Sequence, residues 1–270
     1  MIAIAHFVAV SCYIGAAALA ATPFARSVPP SPPVRGVILL LAAGVLAHLF
    51  ALSALARTSG VVPLTGLGPA LSFAGLVLVL TLLAVELWAR DVTLTLVVAP
   101  FAALPTAVGN LIGMRPALEP HGASGTWLVA HIALSFAGMA AFATAAAAGA
   151  MYLVERHELK SPRFAGIFGF FPPLDTLDRV NHVAALAGWI ALTLGVILAA
   201  GYAMAFRQFD VLKILWALAA WAGVTAVALG RVVGGWRARR AAIASSATFA
   251  AVVILYIAIR VTGGHDGHFL

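Results

Sequence analysis

The stretch Thr126–Glu155, TWLVAHIALSFAGMAAFATAAAAGAMYLVE, decides how the rest of the chain is read. Its interior holds no charged residue and no proline. An apolar run of this length matches the roughly 30 Å hydrocarbon core that a membrane-spanning helix must cross. One imidazole, His131, lies near its start. Inside such a helix a histidine costs solvation free energy unless something holds it, which makes it a candidate functional residue. Helical stepping puts His131, Ser135, Gly138, Phe142 and Gly149 on or near one face. Small and polar groups on that face predict that it looks into protein and away from lipid.

Composition extends this reading to the whole chain. Of 270 residues, 63% are hydrophobic and only 9% charged, and the mean hydropathy is +1.06. A soluble globule has too little interior to hide so much apolar surface, and soluble domains carry about 25% charge. The expected fold is therefore all-α, a polytopic membrane bundle of about eight helices forming a single transmembrane domain over residues 1–270. The net charge of +7 would suggest nucleic acid in a soluble chain. Here it is better assigned to loop arginines and lysines that set topology and meet anionic lipid headgroups, with no nucleic-acid partner. The lone Cys12 cannot close an intrachain disulfide, and no CxxC or CxxCH motif offers thiol exchange or covalent haem attachment.

The other spans follow from the same criterion. Residues 2–20 lack a basic leader and are expected as a retained first span, followed by the proline-rich turn RSVPPSPPVR at 26–35. Residues 37–55 form the second, with Gly44, His48 and Ala51 in register, and 69–88 the third, where Glu86 is expected to snorkel or pair with Arg90. The fourth, 92–113, contains Pro100 and Pro105, which should kink or break it. After the organising helix, PPLDTLDRV at 172–180 reads as a short amphipathic lead-in on the membrane surface. Spans at 182–206, 212–233 and 241–260 complete the set.

Eight spans place eleven basic residues on one side, Arg26, Arg35, Arg90, Arg156, Lys160, Arg163, Arg179, Arg231, Arg237, Arg239 and Arg240, and five on the other. The richer side should be cytoplasmic, so both termini are expected to be periplasmic in a bacterial inner membrane. His6 and His131 then lie roughly 6–8 Å, and His48 roughly 10 Å, inside the outer boundary. His182 is alone near the inner face. Imidazoles from different helices at one depth are what axial ligation of a haem iron requires. His48 and His131 form the expected axial pair, with His6 placed nearer a fraying terminus and interfacial water. The plainer reading of each histidine taken singly is a hydrogen bond across helices or to water. Zinc would want Cys, Asp or Glu beside them.

Several stretches carry a family pattern. TWLVAHIALSFAG resembles the Trp-Leu-x-x-His helix of the cytochrome c assembly protein family, and LDRVNHVAALAGWIALTLGVILAAGYA the segment leading to that family's tryptophan-rich outward loop. GGWRARRAAIASSATFAAVVILYIAI is similar to its closing loop and final span, with Trp236 and Arg237 in place. The resemblance, strongest over 126–260, implies a haem-handling membrane protein of the shorter eight-span branch, with His131 on a histidine associated with haem ligation. Two departures stand out. Arg207 and Phe209 occupy tryptophan positions of the outward loop, although Asp210 is kept, and Leu229 stands where the full ligases have a second histidine.

The function expected is therefore non-covalent, b-type haem binding, in haem transport or delivery or in cytochrome c assembly, without full ligase activity or a classical enzymatic role. Candidate residues are His131, His48, His6 and His182, with the loop set Arg207, Asp210 and Lys213 either pairing with haem propionates or forming a solvated helix turn in which they pair with one another. Expected partners are haem, membrane lipids, and another membrane subunit or apocytochrome c. The alternatives are a transporter for another solute, suggested by the broken fourth span with Glu86, Asn110 and Asp210, and an accessory scaffold whose histidines are only structural.

Overall fold

The computed structural model describes residues 1–25, 34–116, 123–159, 172–207 and 211–262. Among them every regular element is helical: α1 Ile2–Ala21, α2 Val34–Ser59, α3 Leu67–Ala89, α4 Thr95–Ile112, α5 Ala123–Glu158, α6 Leu174–Phe206, α7 Val211–Val232 and α8 Ala238–Thr262, with one 3-10 turn at Thr22–Ala25. All eight α-helices are long and apolar enough to cross a membrane. The shortest, α4, has 18 residues, which at 1.5 Å per residue still reaches about 27 Å. Large apolar side chains such as Ile4, Leu39, Leu104, Ile190 and Ile254 point outward, as they must where lipid replaces water. The all-α, eight-span reading holds.

The chain divides into two compact units, Met1–Leu118 with Met151–Leu177, and Glu119–Ala150 with Asp178–Leu270. In the first unit α1 packs on α2 and α4, while α3 packs on α4 and α2. Tyr13, Leu41, Val79 and Leu82 are among its fully buried side chains. The helix α4 is continuous through Pro100 and Pro105, where a kink or a break was expected. Its packing against α3 is backbone-close: a Cβ at Gly75 would lie 2.1 Å from the Thr106 hydroxyl oxygen and 2.7 Å from the Ala102 carbonyl. A proline-bearing membrane helix is tolerated where neighbouring protein shields its freed backbone groups in this way.

Glu86 also departs from expectation. It neither snorkels nor turns to Arg90. It is buried, and one carboxylate oxygen accepts the Thr95 backbone N–H at 2.9 Å and the Thr95 hydroxyl. The start of α4 presents N–H groups without helical partners and a positive field, and these draw the carboxylate inward.

In the second unit the predicted face of α5 is the packed one. A Cβ at Gly138 would sit 2.5 Å from Leu192 and 3.0 Å from the Gly188 carbonyl, so α5 and α6 meet where only glycine fits. Phe142 lies fully buried next to that crossing, in a core with Ala145, Ala185, Leu192, Val224 and Val227. Two reciprocal bonds tie α6 to α7: Trp189 Nε1–H donates to Thr225 and Trp221 Nε1–H to Thr193, both at 3.0 Å. Asn181 donates to the Ala145 carbonyl of α5 and to the Ser245 hydroxyl of α8, each at 2.6 Å. The stretch read as a surface lead-in is the start of α6 itself, one continuous helix of 33 residues. Pro173 before its first residue and Asp175 in its first turn are an ordinary helix start, and Leu177 and Val180 are buried.

Candidate functional site

Which histidines can offer a lone pair is decided by their hydrogen bonds, because a neutral imidazole has one N–H donor and one acceptor nitrogen. His131 Nδ1 lies 2.8 Å from the Gly195 carbonyl of α6. A carbonyl only accepts, so Nδ1 carries the proton, with the Ser135 hydroxyl a longer 3.4 Å away. The remaining nitrogen, Nε2, keeps its lone pair and has no hydrogen-bond partner among the described residues. His131 is half-buried. A ring locked through Nδ1–H to a backbone carbonyl, with Nε2 presented, is how metal-ligating histidines are usually held.

One turn before His131, Trp127 lies over Gly201, where a Cβ would come within 2.6 Å of the indole, and its Nε1–H donates to the Leu198 carbonyl at 2.9 Å. Phe206 stands edge-on to Trp127 with centroids 6.4 Å apart, and Tyr202 is 4.7 Å from Phe206. An aromatic cluster thus sits beside His131 where α6 ends. Arg207 is exposed just beyond it, in left-handed backbone with φ of 53°. Lys213 is half-buried in the first turn of α7. Asp210 lies outside the described residues.

His6 and His48 are a different case. Both are fully buried, and the two rings meet edge-on with centroids 5.3 Å apart. His6 Nδ1 is 3.0 Å from the Ile2 carbonyl, and its Nε2 is 2.8 Å from the Ser72 hydroxyl. His48 Nε2 is 2.7 Å from the same hydroxyl, and its Nδ1 is 3.1 Å from the Tyr13 phenol. The Ile2 carbonyl fixes every proton in this chain. His6 must donate from Nδ1, so its Nε2 accepts the Ser72 proton. Ser72 therefore accepts from His48 Nε2–H, and His48 Nδ1 accepts from Tyr13. The two neutral imidazoles are opposite tautomers, and neither has an unshared lone pair. The expectation that His6 reaches interfacial water is corrected: it is fully buried where α1 packs against α2 and α4, with the Ser72 hydroxyl of α3 on its Nε2. His48 and His131 belong to different units, and His48 would have to give up Tyr13 or Ser72 to bind iron.

His182 has an arginine as its partner. Arg231 Nε–H donates to its Nδ1 at 2.9 Å, so its only lone pair is taken. The same guanidinium bonds the Asp178 carboxylate at 2.9 and 3.0 Å and the Asp178 carbonyl at 2.7 Å. Asp178 also receives the Ala238 N–H at 3.1 Å, joining the ends of α6, α7 and α8. Ser72, Asn181, Asp178 and Arg231 were not singled out as site residues. A buried hydroxyl near Gly75 in α3, and the polar DRVNH run at 178–182, were the signals available. Among the described residues no three His, Cys, Asp or Glu side chains converge into a metal-binding group, so a tetrahedral zinc set is not assembled there.

These features define a multi-pass membrane protein built of two helical units, with His131 held through Nδ1 next to an aromatic cluster. The family model for the cytochrome C assembly protein matches residues 33–265, and the chain belongs to that family. The match begins before α2, three spans earlier than the motifs that carry the resemblance in sequence. Membership brings with it a role in cytochrome c maturation. No curated protein matches the chain.

Proposed function

We propose that this protein binds haem non-covalently at His131 and carries or delivers it during cytochrome c assembly. The observation that supports this is the unshared Nε2 lone pair of His131, held by the Nδ1–H bond to Gly195. Iron of a b-type haem accepts such a lone pair. Trp127, Tyr202 and Phe206 offer the macrocycle apolar contact, and Arg207 with Lys213 offers the propionates cationic partners. Haem is the cargo in this reading, and what it supplies is the iron centre of the finished cytochrome. His6, His48 and His182 keep their protein partners. Leu229, at the position of the ligases' second histidine, favours binding and handover over ligation.

Apocytochrome c or another membrane subunit is the expected recipient, in a bacterial inner membrane with both termini periplasmic. The test is a haem titration of the detergent-purified protein followed in the Soret band. The wild type should give a saturable, low-micromolar or tighter transition. His131→Ala should lose it, while His6→Ala and His182→Ala, if folded, should retain it. Equal titrations for His131→Ala and wild type would overturn the proposal.

A further inference from the structure

At the start of α8 the residues Trp236, Arg239, Arg240, Ile243 and Ala244 line a cleft of about 460 Å³. Its floor is rigid. The Trp236 indole rests on Gly230, where a Cβ would lie 2.4 Å from the ring, and the Trp236 backbone N–H donates to the Gly230 carbonyl at 2.8 Å. The Arg240 guanidinium lies 4.7 Å above the indole, a cation–π contact that restricts the side chain before any ligand arrives. Ala238 enters the helix in left-handed backbone with φ of 53°, and its N–H is held by Asp178. Arg239 and Arg240 therefore leave the first turn of α8 from an anchored backbone.

The charge here is uncompensated. Asp178 is engaged by Arg231 and by Ala238. Arg237, Arg239 and Arg240 are exposed and have no ion pair among the described residues. Below the cleft the outer surface of α8 is apolar. Ile243, Ala247, Ala251, Ile254 and Ile257 are exposed at steps of three and four, so they form one stripe down the helix. Two neighbouring arginines on an anchored helix start, Arg240 held over Trp236, at the top of an aliphatic stripe match a molecule with an anionic head and an alkyl tail.

We infer that this cleft is a binding site for an anionic phospholipid, its phosphate between Arg239 and Arg240 against Trp236 and an acyl chain along the Ile243–Ile257 stripe. A soluble phosphate would use the arginines and leave the stripe unexplained, so the lipid is the occupant chosen. Arginine forks suit phosphate oxygens, and basic groups near an anionic leaflet each contribute enough to make loss of both a roughly thirtyfold weakening.

The full-length protein in nanodiscs tests this by tryptophan quenching from brominated lipid, with the Trp236→Phe protein identifying the Trp236 signal. Brominated phosphatidylglycerol diluted in phosphatidylcholine should quench Trp236 well beyond brominated phosphatidylcholine at the same fraction. Arg239→Gln with Arg240→Gln should weaken the apparent affinity for phosphatidylglycerol by roughly thirtyfold, so that quenching at the wild-type half-point falls to the phosphatidylcholine level, and the paired lysine variant should recover part of it. Equal quenching by the two lipids, or an unchanged double glutamine variant, would overturn the site. Displacement of the quencher by millimolar inorganic phosphate would mark it as a soluble-anion site and overturn the lipid assignment.

Discussion

Replacing Ser72 by alanine puts the hydrogen-bonded chain of the first unit under the sharpest strain. One hydroxyl serves both His6 Nε2 and His48 Nε2, at 2.8 and 2.7 Å. Its loss strands a lone pair on His6 and an N–H on His48, and both rings are fully buried. Side-chain hydrogen bonds between membrane helices average about 0.6 kcal/mol each in coupling, which would make the loss of two worth about 1 kcal/mol. Bare buried polar groups cost more, about 1–3 kcal/mol each. The second effect should win where the rings are sealed on all sides, giving a loss of about 2–6 kcal/mol. Tyr13→Phe strands only the His48 Nδ1 lone pair and should cost about 1–3 kcal/mol, roughly half the Ser72→Ala loss. Reversible unfolding in mixed detergent micelles measures both. Histidine-selective ¹⁵N spectra of the intact protein should show His6 protonated at Nδ1 and His48 at Nε2. A loss below about 0.6 kcal/mol for Ser72→Ala, or the same tautomer on both rings, would refute the reasoning.

Three other predictions follow from the second unit and the topology. Asp178→Ala leaves Arg231, whose side chain is 2% exposed, without its carboxylate, and should destabilise by about 3 kcal/mol. Asp178→Ala with Arg231→Met should recover most of that loss in the same unfolding assay. Gly138→Val should abolish the close crossing of α5 and α6 and lower the thermal midpoint, with overpacking costing about 1–3 kcal/mol; Ala137→Val, one residue off the crossing, serves as its control. Reporter fusions after Arg57 and Arg207 should read periplasm, and those after Arg90 and Arg237 cytoplasm. A periplasmic signal at Arg237 would reverse the assigned orientation.

The contrast between His131 and the other histidines shows how far one sequence can be read. The packed face of α5 was legible, because helical spacing alone aligns His131, Ser135, Gly138 and Phe142, and small residues mark where another helix comes close. The span count was legible for the same reason: a hydrocarbon core demands long apolar helices, and few segments satisfy it. The partners of His6 and His48 were not. Their grouping at one depth came from helix rise, but which ring nitrogen meets Ser72 depends on how α1, α2 and α3 are rotated against one another. The inward turn of Glu86 was hidden by local spacing, since Arg90 lies four residues on while Thr95 becomes its neighbour only through the turn into α4. Asp178 and Arg231 are 53 positions apart, and no periodicity connects them. The continuity of α4 through two prolines is likewise a property of what surrounds it.

The most direct test of the central claim is ligand replacement at His131. Shortening the side chain in His131→Gly should remove the iron ligand and leave space for a small substitute. In detergent, His131→Gly should bind haem weakly or with a shifted Soret band, and added imidazole should restore the wild-type Soret position and haem content. His6→Gly, which loses a buried structural partner instead of an open lone pair, should show no such imidazole-dependent recovery. A wild-type haem spectrum in His131→Gly without imidazole, at normal haem content, would contradict the claim.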